Sequence, residues 1–304
     1  MRVYAGLDVE GDQGGQFPWK SQLVDVGGAR MAVVDEGPRR SKLTFLLLHG
    51  NPTWGFLYRR FIRRLSAHNR VVVPDHVGFG RSDKPVDEGY YSLERHIANL
   101  ESLADQLHLE NVVVVVQDWG GPIGMGWAKR HQDKVAGVVV MNTWAFVRDP
   151  PMRLPFWFRF LFLGSGGWRR IIGGNIFVER VLPRGVARKL AKEEMDAYRA
   201  PFPTPQHRVG MAHSPRMIPQ THDADHPDWI TMARIEDRLA ELSGKPALIV
   251  WAMRDVAFRK PALERWRKVF PRAEVVRLPE AKHFLQEDAA PEILNAIEGW
   301  SRTL

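Results

Sequence analysis

A turn between a predicted strand and a predicted helix holds one carboxylate in a position suited to chemistry. Five valines at 112–116 predict a strand that is buried on both faces of a sheet. Asp118 follows this strand, and Gly120 and Gly121 would let the next helix pack closely against it. Such a helix N-terminus stabilises an anion, so we expect Asp118 to be ionised at neutral pH. On this pattern alone, Asp118 is either a nucleophile or an ordinary helix N-cap.

An acid and a histidine follow predicted strands later in the chain. Asp255 comes after the apolar segment 247–251, and His283 comes after the strand predicted at 274–278. A single histidine is more often structural than catalytic. However, a carboxylate nucleophile, an acid and a histidine that follow successive strands in this order indicate a catalytic triad.

Apolar segments alternate with amphipathic ones along most of the chain, and this alternation predicts an α/β fold. It favours a mostly parallel central sheet flanked by helices. Ligand sites in such sheets lie at the C-terminal ends of the strands, where the three candidate residues fall. The predicted strands are 22–26, 31–35, 44–48, 71–74, 112–117, 138–141, 247–251 and 274–278, and the predicted helices are 57–65, 93–109 (capped by Ser92), 120–131, 229–242, 261–270 and 290–300.

The alternation stops in one long segment, 147–226, which contains many proline, glycine, arginine and aromatic residues. A structureless loop of this length is unusual. We therefore predict a helical cap domain at 147–226, inserted into a core domain formed by residues 1–146 and 227–304. Nine aromatic residues lie between Trp144 and Phe177. Most of them suit helix packing, and we expect a few to line an apolar pocket.

Composition excludes several classes of function. The 304-residue chain has no cysteine, which excludes disulfides, thiolate zinc sites and iron–sulfur clusters. Its net charge of +8 comes mainly from the insertion and is typical of a solvated basic face, so we expect neither a nucleic-acid nor a membrane partner. Residues 1–16 lack the apolar stretch of a signal peptide, and the apolar run 112–116 is too short to cross a bilayer. We expect a cytoplasmic protein.

A stretch rich in histidine and aspartate near the end of the insertion has residue types that ligate metals. Its members are His207, His213, His222, Asp223, Asp225 and His226. Their spacing matches no compact metal motif, so we expect no metal and interpret the stretch as a polar connection. Asp225 or Asp228 would cap the next helix. No glycine-rich phosphate loop follows a strand, so we expect no nucleotide cofactor.

The sequence resembles the haloalkane dehalogenases of the α/β-hydrolase superfamily. The similarity covers nearly the whole chain beyond about residue 20, and it implies an α/β-hydrolase core with a helical cap. The motifs that carry it are His49-Gly50-Asn51-Pro52-Thr53-Trp54, Gln117-Asp118-Trp119-Gly120-Gly121-Pro122, the segment from Asp255 to Phe258, and Lys282-His283-Phe284 with Gln286-Glu287-Asp288.

The resemblance implies a triad of Asp118, His283 and Asp255. Asp118 would be the nucleophile, His283 the general base that activates water, and Asp255 the acid that orients His283. One branch of the family carries a glutamate just after the strand that precedes the cap. Asn142 occupies that place here, and an amide cannot serve as the charged partner.

The resemblance also implies a halide site. Asn51 and Trp119 would bind the halide through side-chain N–H groups, and their backbone N–H groups would form the oxyanion hole. The reaction would convert a small apolar haloalkane and water into an alcohol, a halide ion and a proton, without a cofactor. The resembling subfamily further suggests a homo-oligomer.

Other functions of the same fold are the alternatives. Epoxide hydrolases also use an aspartate nucleophile, but they typically need two cap tyrosines, and the insertion has only Tyr198. A fluoroacetate dehalogenase would carry arginines just after the nucleophile, and a serine esterase would carry serine in place of Asp118. A non-catalytic binding protein of this fold would be expected to lack part of the triad.

Overall fold

The computed structural model describes residues 3–6, 15–148, 156–218 and 224–304, and a large mixed sheet forms its centre. The strands are β1 (Val3–Tyr4), β2 (Gln22–Asp25), β3 (Arg30–Glu36), β4 (Thr44–Leu48), β5 (Arg70–Pro74), β6 (Lys84–Pro85), β7 (Val112–Asp118), β8 (Val135–Thr143), β9 (Ala247–Ala252) and β10 (Glu274–Leu278). Eight of them form the sheet in the order β10-β9-β8-β7-β4-β5-β3-β2, and β1 pairs separately with β6.

The sheet is parallel from β10 to β5 and antiparallel at its other edge. Strands β4, β5, β7, β8, β9 and β10 pair in parallel, whereas β2 pairs with β3, and β3 with β5, in antiparallel orientation. The predicted mostly parallel sheet is therefore confirmed. Because β7 lies between β4 and β8, their C-terminal ends meet at the middle of one sheet edge.

Each face of the sheet packs against its own hydrophobic core. Side chains of successive strand residues point to opposite faces. Val112, Val114 and Val116 of β7 accordingly join one hydrophobic core, whereas Val113 and Val115 join a second core. All five valines are fully buried, as the run of apolar residues predicts.

Helices cover both faces of the sheet. They are α1 (Arg59–Leu65), α2 (Leu93–Gln106), α3 (Gly120–Arg130), α4 (Phe156–Phe162), α5 (Ser165–Ile172), α6 (Leu182–Arg184), α7 (Lys192–Arg199), α8 (Val209–His213), α9 (Pro227–Arg238), α10 (Lys260–Val269), α11 (Leu285–Asp288) and α12 (Ala290–Ser301). In the described parts of the chain, no helix is both long and apolar enough to cross a membrane.

Helix boundaries show where local sequence signals succeed and fail. Ser92 caps α2 as predicted, since its side chain accepts a hydrogen bond from the Arg95 N–H. The helix ends at Gln106 rather than near Leu109, because His108 has a φ of 48° and so leaves the right-handed helical region.

The predicted cap of α9 is wrong. The side chain of His226, not that of Asp225 or Asp228, accepts the hydrogen bond at the start of this helix, from the Asp228 N–H. The Asp228 carboxylate instead accepts a hydrogen bond from the Leu93 N–H at the start of α2. A long-range contact has taken the place of the local cap.

Residues 156–218 fold into the helices α4 to α8, together with shorter helical turns. They lie against the C-terminal edge of the core: the Trp54 indole N–H donates to the Ala197 carbonyl, and Met217 contributes to a cavity beside Asn51 and Trp119. The division into a core domain and a cap domain at 147–226 stays a prediction.

Candidate active site

Asp118 lies on a tight turn between β7 and α3. Its φ of 49° is in the left-handed region, which a non-glycine residue adopts only when the surrounding structure enforces it. A Cβ built on Gly120 would lie 2.2 Å from the Leu48 carbonyl oxygen, and one on Gly121 would lie 1.8 Å from Thr143 Oγ1. The prediction that these glycines allow close packing is confirmed.

The Asp118 carboxylate lies next to the backbone segment that follows β4. Its Oδ1 accepts a hydrogen bond of 2.8 Å from the backbone N–H of Asn51. Burial raises the pKa of Asp118 above its ordinary value, while the nearby His283 and the N–H groups of Trp119 and Asn51 act against this rise. The carboxylate is thus a partly desolvated group held by backbone donors.

His283 lies between two carboxylates. Its Nδ1 is 3.0 Å from Asp255 Oδ2, and its Nε2 is 3.6 Å from Asp118 Oδ2. Burial lowers the pKa of His283, but the Asp255 and Asp118 carboxylates outweigh burial, and the net pKa is raised. The sequence prediction grouped these three residues, and the structure brings them within hydrogen-bonding distance or close to it.

Asp255 is held rigidly by donors other than His283. Its side chain is fully buried, its Oδ1 accepts from the Ala257 N–H at 2.7 Å, and its Oδ2 also accepts from Asn142 Nδ2 at 3.0 Å. Because a carboxylate only accepts hydrogen bonds, Nδ1 of His283 must carry the proton in the bond to Asp255. This leaves Nε2 as the basic atom of the neutral ring.

Asn142 has a structural task that the sequence did not indicate. Its side chain bridges β8 and β9: Oδ1 accepts from the Ala252 N–H at 2.7 Å, and Nδ2 donates to the Ala252 carbonyl at 3.1 Å and to Asp255. The only available signal was a polar residue at the end of an apolar strand. That signal indicates that Asn142 lies near the site, but it does not indicate that Asn142 contacts Ala252 and Asp255.

Asn51 and Trp119 flank Asp118 and leave side-chain donors free. Within the described residues, the Asn51 side-chain amide and the Trp119 indole N–H form no hydrogen bond to the protein, and the Asn51 Oδ1 atom is buried without a partner. The Trp119 ring packs edge-on against Trp144 with a centroid distance of 4.9 Å. Both residues line a narrow cavity, whose other lining residues include His49, His76, Phe79, His96, Ile123 and Met217.

The aromatic residues from Trp144 to Phe177 serve different purposes. Trp144 stacks on Phe258, whose ring centroid lies 5.7 Å from that of His283, so this tryptophan lies beside the site. Phe162 stacks on Phe177 within the second core. Phe156 and Phe160 are mostly exposed. Packing thus explains Phe162 and Phe177, whereas Trp144 lies near the site.

The structure describes only part of the histidine- and aspartate-rich stretch. His222 and Asp223 lie outside the described residues. Of the others, His207 hydrogen-bonds to Thr204, and His213 stacks on Tyr91. Within the ranges that the structure covers, no three histidine or acidic side chains are grouped so that they could hold a metal ion.

Comparison with known proteins places the chain in two nested groups. Residues 44–290 match the α/β-hydrolase fold family, so the class of protein is that of the α/β-hydrolases. Haloalkane dehalogenase 2 of Mycobacterium tuberculosis is 38% identical over 92% of this chain and 94% of its own length. This chain belongs to the haloalkane dehalogenase family.

Two further relatives bear on function. A tetrameric haloalkane dehalogenase from Paraglaciecola agarilytica has a similar structure, with a TM-score of 0.83, 31% identity, and coverage of 97% of both chains. A cis-3-alkyl-4-alkyloxetan-2-one decarboxylase of Shewanella oneidensis is 34% identical over 93% of this chain and 88% of its own length. Its name describes an enzyme that decarboxylates a four-membered lactone.

Proposed function

We propose that this chain is a haloalkane dehalogenase that hydrolyses carbon–halogen bonds of small apolar haloalkanes. The observation that carries the proposal is that the mostly buried Asp118 carboxylate lies beside the His283–Asp255 pair and next to Asn51 and Trp119, whose side-chain N–H groups are unused within the described residues. Displacement at an sp³ carbon needs both an anionic nucleophile and donors that meet the departing anion.

In the first step, Asp118 attacks the carbon opposite the halogen. A carbon–oxygen bond forms as the carbon–halogen bond breaks, which gives an alkyl ester of Asp118 and a halide ion. The side-chain N–H groups of Asn51 and Trp119 stabilise the charge that develops on the halogen. No proton moves in this step, so it needs no base.

In the second step, water hydrolyses the ester. His283 takes a proton from water through Nε2, and the water oxygen attacks the ester carbonyl carbon. The backbone N–H of Asn51 already lies 2.8 Å from Asp118 Oδ1, so it and the N–H of Trp119 suit the resulting oxyanion. Collapse releases the alcohol and regenerates the Asp118 carboxylate, and a proton leaves to solvent.

The first step prepares the base for the second. In the free enzyme, the Asp118 carboxylate helps to raise the pKa of His283. Ester formation removes that negative charge. The pKa of His283 should then fall, which frees the ring to accept a proton from water when hydrolysis begins.

A substrate panel tests this proposal against the other functions. Halide release should be measured with a series of bromoalkanes, alongside consumption of an epoxide and of a p-nitrophenyl ester. Turnover of bromoalkanes and no turnover of the other two is expected. The epoxide hydrolase alternative is further disfavoured because Tyr198, the single tyrosine of the insertion, is buried and donates its hydroxyl hydrogen to Glu287.

A second candidate is decarboxylation of a cis-disubstituted β-lactone, which is favoured by relatives of that name at 34% and 33% identity. Attack of Asp118 on the sp³ ring carbon bonded to oxygen would displace a carboxylate, another anion for Asn51 and Trp119. Loss of CO₂ would then form the alkene and expel Asp118. This sequence consumes no water, so His283→Phe should abolish haloalkane turnover and preserve alkene formation.

Assembly is inferred from one structural relative. The tetrameric relative supports self-association of this chain, which size-exclusion chromatography with light scattering would measure. A cytoplasmic location stays a prediction.

A further inference from the structure

Gln117 contacts the base from the side opposite Asp255. This residue precedes Asp118 at the end of β7, and its side chain is completely buried. Its Nε2 lies 3.1 Å from Nε2 of His283 and 3.2 Å from the carbonyl oxygen of the same residue. The amide therefore reaches the ring atom that the proposed hydrolysis step uses.

The carbonyl contact fixes which way the amide points. A backbone carbonyl only accepts hydrogen bonds, so the nitrogen of the Gln117 amide, not its oxygen, must face His283. The second amide hydrogen is then available to Nε2. Nε2 can accept it only while it is unprotonated, and the proton of the neutral ring lies on Nδ1 toward Asp255.

We propose that Gln117 is a positioning residue that stabilises the neutral, Nδ1-protonated form of His283 by donating a hydrogen bond to Nε2. The proposal deepens the proposed function, and it rests on that function only for the role of His283 as base. An incoming water molecule replaces the amide at Nε2 when the ester is hydrolysed. Until then, the amide holds the ring with Nε2 unprotonated.

The need for such a donor follows from the charges around the ring. The Asp255 and Asp118 carboxylates both face His283, and both favour its protonated form. The Lys282 ammonium contacts the carbonyls of Arg184 and Val186 instead of the ring. The imidazolium has no lone pair for Gln117. The amide therefore opposes the two carboxylates and extends the basic form of His283 to lower pH.

Titration of His283 in Gln117→Met tests the proposal. Methionine keeps the length and flexibility of the side chain but has no N–H donor. With histidine labelled with ¹⁵N, and the His283 signal assigned by its loss in His283→Phe, the measured pKa should rise by about one pH unit, a tenfold change in proton affinity. The acidic limb of the ester-hydrolysis rate should move by the same amount, while the first displacement at high pH stays within about twofold.

Two further variants make the test decisive. Gln117→Asn keeps the polar group but withdraws the donor by one methylene, so it should shift the titration in the same direction even where methionine disrupts folding. Val114→Ala removes buried volume from the same strand and should leave the titration unchanged. An unaltered pKa of His283 in both Gln117 variants would overturn the proposal. A raised pKa without any halide release by the parent enzyme would support Gln117 but reject the dehalogenase function.

Discussion

At the scale of single residues, the departing halide ion needs N–H donors that are not already hydrogen-bonded within the protein. Asn51 and Trp119 meet this condition within the described residues, whereas the backbone N–H of Asn51 is engaged by Asp118. The side chain and the backbone of Asn51 therefore have different roles. The side chain of Asn51 suits the leaving group, and its backbone suits the nucleophile and the oxyanion.

Trp119→Phe should slow the first displacement by about 10²–10³ because it deletes one preorganised donor and retains an aromatic ring. Rapid-quench measurement of the first equivalent of bromide gives this rate. Trp127→Phe is the matched control, since Trp127 also has a buried indole N–H with no partner among the described residues but packs on His131 near the C-terminal end of α3. Equal rates in the parent enzyme and Trp119→Phe would remove Trp119 from the halide site.

His283→Phe should separate the two chemical steps. Attack of Asp118 needs no base, so this variant should release one halide per active site and then stop. Mass spectrometry should find the alkyl group on the peptide that contains Asp118. Asp118→Ala should show neither the burst nor the adduct. Steady turnover by His283→Phe would mean that another residue is the base, and absence of both burst and adduct would indicate direct attack by water.

At the scale of elements, the strands and their order of appearance were predictable, but several contacts between them were not. Alternation of apolar and amphipathic segments located the eight strands of the main sheet, and strand ends located Asp118, Asp255 and His283. Asn142 contacts the residues at the end of the neighbouring strand β9, and Gln117 contacts His283 in the loop after β10; both contacts depend on side-chain conformation. A single sequence carries no local signal for such contacts, just as it carried none for the long-range bond of Asp228.

Helix α11, which directly follows His283, is fixed to the core through a buried ion pair. Glu287 accepts two hydrogen bonds from Arg59, at 2.5 and 2.8 Å, and both side chains are at most 4% exposed. Burial raises the pKa of Glu287, but the Arg59 guanidinium outweighs burial and lowers it. The carboxylate is therefore charged, and it compensates much of the buried charge of Arg59.

Glu287→Gln should destabilise the fold by about 3 kcal/mol, because removal of one partner leaves a buried charge poorly compensated. Urea unfolding, followed by tryptophan fluorescence, measures this loss as a lower midpoint at an unchanged slope. Glu298→Gln is the control: its pair with Arg64 is about one-third exposed on both sides, and its loss should cost at most about 1 kcal/mol. Equal costs for the two variants would contradict a special role of burial.

At the scale of the whole molecule, the same pair extends into an ion network that joins residues of the insertion to the core. Arg188 and Glu194 come from the insertion. The Arg188 guanidinium contacts Glu287 at 2.6 Å and Glu194 at 2.7 Å, and Glu194 also pairs with Arg59 at 2.8 Å. Because α11 follows His283, the network connects the segment over the site with the loop that carries the base. The charge state of this network should therefore affect the stability of the fold as well as the position of the loop.

This network makes the fold sensitive to acid. Burial raises the pKa of Glu194, but Arg188, the Ala191 N–H and Arg59 lower it to about 2, below its value of 4.5 in an unfolded chain. A lowered pKa stabilises the fold above pH 4.5, and this stabilisation is lost as the pH falls toward 2. The difference corresponds to about 3 kcal/mol.

The melting temperature should therefore fall steeply over this range, and the fall should be shallower in Glu194→Gln, which starts less stable at neutral pH. Calorimetry from pH 7 to 2.5 measures both effects, with the exposed Glu280→Gln as control. A Glu194→Gln profile that runs parallel to that of the parent would exclude Glu194 as a source of the acid sensitivity.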